Sequence, residues 1–351
     1  MATKSTQPLN PPTAETRRLV ELARAVGLGD APDELVEWDR AVSLLAASGK
    51  ETPLLADVLR WQGSVLRDRG EMARAETLYD RSLRTSESLS YVVGRAHALN
   101  CLGIIAHRRG DLARATALYA DAAGIAEDCG ETRLQGMIRQ NLGVLADMRG
   151  DIDDAMAQYG ACLEAFESSG DKQAMTWVLN NLGLLYTRRG DHQEALDCYE
   201  RALGIATERG DIVVEGYLEE NRAELALARG DLAAANASIA RALEIATRRA
   251  NGVRRAATLK LRGMSKRESG NLAGAVDDLR MALTLAAIGE DALVRGEVLY
   301  EYGVTLARTG EVALAEEMLT IAQGAFERIG AREWAEKAAN RLTNSVPTPR
   351  L

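Results

Sequence analysis

A glycine recurs every 40 residues through most of this chain, at Gly70, Gly110, Gly150, Gly190, Gly230, Gly270 and Gly310. The spacing never slips. The next residue is Glu71, Asp111, Asp151, Asp191, Asp231, Asn271 or Glu311, in each case a residue that suits a helix start. Two more columns keep the register. A small residue recurs as Gly63, Gly103, Gly143, Gly183, Ala223, Gly263 and Gly303, and an alanine as Ala75, Ala115, Ala155, Ala195, Ala235, Ala275 and Ala315. Four residues after the alanine stands Tyr79, Tyr119, Tyr159 or Tyr199, giving way to Ile239, Leu279 and Leu319. Columns held in step over seven units define a tandem array, in which each unit buries its apolar face against its neighbours.

Residues 176–211 show what one unit contains. Val178, Leu179, Leu182, Leu185 and Tyr186 recur at helical spacing. Gly183 sits among them, and a glycine inside a helix costs about 1 kcal/mol against alanine, so a second helix is expected to cross close by. Gly190 is placed to end the helix in the left-handed conformation, and Asp191 to cap the next one. That second helix carries Ala195, Leu196, Tyr199, Ala202, Leu203 and Ala206 on one stripe. Its small residues admit a close neighbour, and Tyr199 fills the remaining gap. The expected fold is all-α.

The order Leu182, Gly183, Tyr186, Ala195, Tyr199, Ala202 resembles the tetratricopeptide repeat (TPR) family. The chain departs from that family in lacking the proline after the second helix and in having a unit longer than the common ~34 residues. The longer form is similar to the repeats of kinesin light chains and Pins-type spindle adaptors. The resemblance implies a right-handed superhelical solenoid of antiparallel helix pairs, with the first helix of each pair lining a concave face that takes extended peptides.

The register divides the chain. Residues 1–12 are polar and proline-bearing and are expected to be disordered. Residues 13–50 form a degenerate capping repeat, in which Trp38 and Ala41 match Tyr79 and Ser82 after deletion of one residue. Residues 51–330 hold the seven repeats, with breaks at Gly130-Glu131, Gly170-Asp171, Gly210-Asp211, around Asn251-Gly252, at Gly289-Glu290 and at Gly330. Residues 331–343 form a capping helix that turns Trp334, Ala335 and Ala338 inward and Arg332, Glu336, Lys337 and Arg341 to water. Residues 344–351 are a loose tail.

On the family's pattern, the inner positions around Gly183 are Trp177, Asn180, Asn181, Leu184, Thr187 and Arg188. The residue two before the mid-helix small residue reads Trp61, Cys101, Asn141, Asn181, Asn221, Leu261 and Glu301. In the family, an asparagine here holds the main chain of a bound peptide, since its amide offers a donor and an acceptor. The alternative is that Asn141, Asn181 and Asn221 only cap or solvate the groove. Asn100, Gln140 and Asn180 flank this ladder. Met137, Trp177 and Tyr217 stand a turn earlier, either to meet ligand side chains or to fill the seam between first helices. Arg108 and Arg188 complement helix dipoles, and at the groove they would favour an acidic segment. Glu220, Glu224, Glu297 and Glu301 make the later groove more acidic. His97 and His107 are expected to be solvated there.

Chemistry beyond binding finds little support. Phosphate-binding, dinucleotide, zinc-protease and nucleophile-elbow motifs are absent. Four cysteines form no C-x-x-C pair; Cys162 and Cys198 read as core, and Cys101 as the one that is reactive. Three histidines supply no metal set, so neither cofactor nor metal is expected. A net charge of −8 argues against nucleic acid, and no apolar run is long enough to span a bilayer. The start of the sequence lacks the apolar core of a signal peptide, which points to the cytoplasm. The expected function is a non-enzymatic scaffold whose groove binds an extended peptide of a partner protein. The alternative is a peptide-responsive bacterial regulator similar to TPR pheromone sensors. About fifty residues precede the repeats and read as a cap rather than an output domain, which favours the scaffold. Self-association through an end repeat is a further expectation.

Overall fold

Each helix pair closes around a position with no room for a larger side chain. In the computed structural model, residues 51–288 and 291–345 are described, together with Trp38, Asp39, residues 41–43 and Leu45. The helix pairs are α1 (Pro53–Asp68) with α2 (Met72–Ser88), α3 (Val92–Arg108) with α4 (Leu112–Asp128), and α5 (Thr132–Met148) with α6 (Ile152–Ser169). They continue as α7 (Lys172–Arg189) with α8 (His192–Arg209), α9 (Ile212–Ala228) with α10 (Leu232–Arg248), α11 (Gly252–Glu268) with α12 (Leu272–Ile288), and α13 (Ala292–Thr309) with α14 (Val312–Ile329). A final helix, α15, spans Arg332–Ser345. The chain forms two compact units, one ending at Asp171 and the other beginning at Lys172.

The packing reason for the mid-helix glycine is direct. A Cβ on Gly143 would lie 2.7 Å from the ring of Tyr159, and one on Gly103 2.5 Å from that of Tyr119. Where the aromatic is replaced, the fit persists: a Cβ on Gly263 would meet Leu279 at 2.7 Å, and one on Gly303 would meet Leu319 at 2.8 Å. At the fifth repeat, Ala223 is paired with the slimmer Ile239 in one buried cluster. The partner alanines, from Ala75 to Ala315, are fully buried. A second size match was not foreseen: a Cβ on Gly136 would lie 2.8 Å from Phe166, and one on Gly296 2.6 Å from Phe326. It escapes a 40-residue comparison because the neighbouring repeats carry Ala96, Thr176 and Ala256 in place of the glycine.

The turns follow the expected chemistry with two corrections. Gly190 has φ 87°, and the Asp191 amide donates back to the Tyr186 carbonyl at 2.9 Å. This glycine-closed C-terminus satisfies carbonyls that would otherwise be orphaned. Asp111, Asp231 and Asn271 cap the following helix through their side chains, at 3.0 Å in each case. Asp191 does not: its carboxylate is taken by Arg189. Glu71 and Glu311 make no side-chain cap either, their longer side chains reaching instead to Arg74 and Thr309. Around Asn251-Gly252, the glycine is the first helical residue, so the left-handed corner falls on Ala250, at φ 51°.

Within each unit, the first helices of successive pairs approach one another as well as their own partners: α1 with α3 and α3 with α5, then α7, α9, α11, α13 and α15 in order. The second helices pack chiefly on their own partner and the next first helix. The first-helix side is therefore the inner face of each unit.

At the ends, Trp38 and Ala41 are buried with Val58 as their sequence match requires, while the rest of the expected N-terminal segment and cap lies outside the described residues. Helix α15 stacks Trp334 on Phe326 with ring centroids 5.4 Å apart and buries Ala338. It runs to Ser345, past the expected end at 343. Arg341 is half-buried rather than water-facing, because it follows Trp334 and Ala338 on the same packed stripe.

Replacing Gly143 by Ala should lower stability by about 1–2 kcal/mol, the helix propensity gained offsetting part of the collision with Tyr159. Tyr159→Ile should cost about 1–3 kcal/mol. The double variant, which copies the Ala223–Ile239 pair, should lose less than the sum, with a coupling of about 1 kcal/mol in a urea double-mutant cycle. Simple additivity would mean that the ring does not set the approach of the two helices.

Candidate peptide-binding face

The amide column is not a row of free side chains. In the first unit, Asn141 Nδ2 donates to Asn100 Oδ1 at 2.9 Å; in the second, Asn221 Nδ2 donates to Asn180 Oδ1 at 2.6 Å. Each bond links successive first helices, and each donor amide keeps one N–H and its oxygen for other partners. Asn181 carries no such bond and is half-exposed. Asn100 is buried, so it supports Asn141 rather than facing a ligand. Gln140 and Met137 are half-exposed on α5.

On α7, Trp177 is 38% and Leu184 37% exposed, one turn to either side of Asn181. The Tyr217 ring on α9 lies 6.3 Å from that of Trp177, and the Arg254 guanidinium lies 4.2 Å over it from α11. Arg108 and Arg188 are exposed at the ends of α3 and α7.

Two inner-face residues of the first unit need correction. Cys101 is buried against Tyr79, Leu102 and Ile105, and burial pushes its thiol pKa up, which removes the reactive reading. Cys162 and Cys198 are core as expected, pushed up by burial to about 12 and about 11. His97 is not a solvated histidine: burial, then Arg60 and Arg133, hold its pKa down at about 3, so it is neutral. His107 is half-exposed, with Nε2 2.9 Å from Met148 Sδ. Among the described residues, no group of His, Cys, Asp and Glu is arranged to hold a metal.

The later groove is not an open acidic surface. Glu220 is buried, accepts from Thr258 Oγ1 at 2.7 Å and pairs with Arg254. Lys260 is buried with Nζ 2.6 Å from Glu297 and 3.4 Å from Glu224. Burial alone would lower that ammonium's pKa, but the carboxylates of Glu224 and Glu297 outweigh it and raise it. Glu301 is buried against Arg267 at 2.7 Å, and Glu268 bridges Arg267 at 3.1 Å to Arg308 at 3.2 Å. Sequence reasoning named the carboxylates and missed the cations. Lys260 occupies the column of Asn180 and Glu220, so reading charge across neighbouring repeats rather than down one column would have found the pairing.

Comparison with known proteins agrees with this architecture. A tetratricopeptide repeat family model matches residues 54–128 and 137–208. Similar solved structures include BtubC (BKLC) from P. vanneervenii, 23% identical, matched over 68% of this chain and 93% of that one with a TM-score of 0.53. A tetratricopeptide repeat protein from Parabacteroides merdae ATCC 43184 is 18% identical over 81% and 98%, with a TM-score of 0.57. The Rap conjugation gene regulator of the plasmid pLS20, in complex with a Phr peptide, is 14% identical over 98% and 89%, with a TM-score of 0.59. No curated protein matches the chain. These findings show tetratricopeptide repeats over residues 54–128 and 137–208, and helix pairs of the same 40-residue period continue beyond them. No helix among the described residues is long and apolar enough to cross a membrane.

Lys260→Met should lower stability by about 3 kcal/mol, because it leaves the half-buried Glu297 carboxylate uncompensated. Replacing Glu297 by Met as well should restore most of the loss in urea unfolding. Equal losses in the single and double variants would mean that the ion pair does not hold α11 against α13.

Proposed function

We propose that this protein is a non-enzymatic interaction scaffold, and that the inner face of its second unit holds an extended segment of a partner protein. The observation that carries the reading is the row Trp177, Asn181, Leu184 on α7, where two large apolar side chains stand open to solvent around an unbonded amide. Exposed aromatic side chains are common anchors at interfaces, and an amide matches the donor and acceptor of a peptide unit. In the same unit Asn221 contributes a further amide on α9, and Arg188 stands at the end of α7, while Gln140, Asn141 and Arg108 belong to the inner face of the first unit. The Rap regulator of similar fold was solved with a peptide, which supports a peptide-responsive regulator as the second reading. The four cysteines are free, as suits a reducing cytoplasm.

The test is affinity capture from native lysate with the full chain, identified by mass spectrometry. Asn181→Ala/Leu184→Glu alters exposed inner positions, and Met281→Glu, on the 54%-exposed outer side of α12, is the control. A partner retained by wild type and control but lost by the inner-face variant is the expected result. Loss with the control alone would move the function to the outer face. Contraction of the chain in small-angle scattering on adding the captured segment would select the regulator over the passive scaffold.

A further inference from the structure

The inner face of the second unit has two parts with different chemistry. Along α7, Trp177, Asn181 and Leu184 fall on one stripe and carry no charge, and the exposed Arg188, one turn further on, stands at the helix C-terminus where it complements the helix dipole. Beside them, Tyr217 is covered by the Arg254 guanidinium on its ring and by Trp177 at its flank, so Trp177 presents the more exposed ring. Across α9, α11 and α13, a set of inner carboxylates and cations is engaged with one another. Glu220 is tied to Arg254 and Thr258, Lys260 to Glu224 and Glu297, and Arg267 to Glu301 and Glu268. A charged ligand arriving there would have to break one of these pairs and leave a buried charge behind, whereas an uncharged one disturbs none of them.

We infer that, on the scaffold reading above, the second unit selects an uncharged extended segment of a partner protein that sets one large apolar side chain on Trp177 and Leu184. Charge complementarity is the basis: the stretch from Trp177 to Leu184 is neutral, and the ion pairs beside it are satisfied internally. Selection against charge follows from desolvation of the segment without compensating partners, not from repulsion by a net field. The affinity therefore depends little on salt, since few counterions are released or screened.

The experiment pans short random peptides displayed on phage against the full chain and measures the selected peptides by fluorescence anisotropy. The expected peptides carry Phe, Leu or Trp within an uncharged stretch. Their affinity should change less than about twofold between about 50 and about 500 mM NaCl. Trp177→Ala should weaken binding by about tenfold or more, with Met281→Glu close to wild type. Binding should also shield tryptophan fluorescence from acrylamide in the wild type and not in Trp177→Phe. Circular dichroism and urea unfolding of each variant check that it folds, and Trp177→Phe keeps an aromatic at the position. Peptides of one charge sign with a steep salt dependence, or affinity indifferent to Trp177→Ala, would overturn the inference and leave the scaffold reading standing. Failure of any peptide to bind would overturn both. A solution mass twice that of the chain, reduced by Trp177→Ala, would assign the face to a second copy and overturn the inference as well.

Discussion

The close approach of the two helices in each pair is the constraint on which the other features depend. A glycine on the first helix leaves a hollow, and a ring or branched aliphatic from the second fills it. The dimension is conserved even as the residues change, from Gly143 with Tyr159 to Gly303 with Leu319 and Ala223 with Ile239. Close-packed interiors tolerate exchanges that keep total volume and resist those that do not. With that contact fixed, the turn after the first helix is fixed too. The first helices then lie near enough to one another for their side chains to form hydrogen bonds and ion pairs between repeats.

This explains which features were legible in the sequence. Core and corner positions depend on contacts inside one hairpin, and a hairpin repeats every 40 residues, so they stand out as columns. Gly190, Ala195, Tyr199 and the capping Trp334 could be placed from register alone. Inner-face chemistry depends on contacts between different columns of successive hairpins. Asn141 meets Asn100 and Lys260 meets Glu297, separations of 41 and 37 residues that no single column displays. Cys101 and His97 were misread for the same reason. Their columns face inward, but the neighbouring first helix covers them.

Composition misleads at the same point. A net charge of −8 and four inner glutamates suggest an acidic groove. Each of those glutamates has a cation on an adjacent first helix, Glu224 and Glu297 sharing Lys260, so most of the charge is balanced between repeats. Exposed acids elsewhere, such as Asp277 beside Arg280 on α12, are ordinary surface pairs that contribute little to stability. Net charge therefore describes the molecule's colloidal behaviour better than the potential of its inner face.

Because every repeat packs only on its neighbours, inner-face residues can diverge without disturbing the hollow-and-ring contact beneath them. The second unit shows two outcomes of that freedom. On α11 and α13, the inner positions have become charged and bind one another, tying successive first helices together. On α7, Trp177, Asn181 and Leu184 are apolar or amide and remain open, while Asn180 is bonded to Asn221. A face whose charged half is already satisfied offers little to a charged ligand, and on the proposed reading recognition falls to the half left unsatisfied. In a tandem array, the same residues cannot both hold neighbouring repeats together and stay free for a partner, and the proposed division gives the two roles to different helices of one unit.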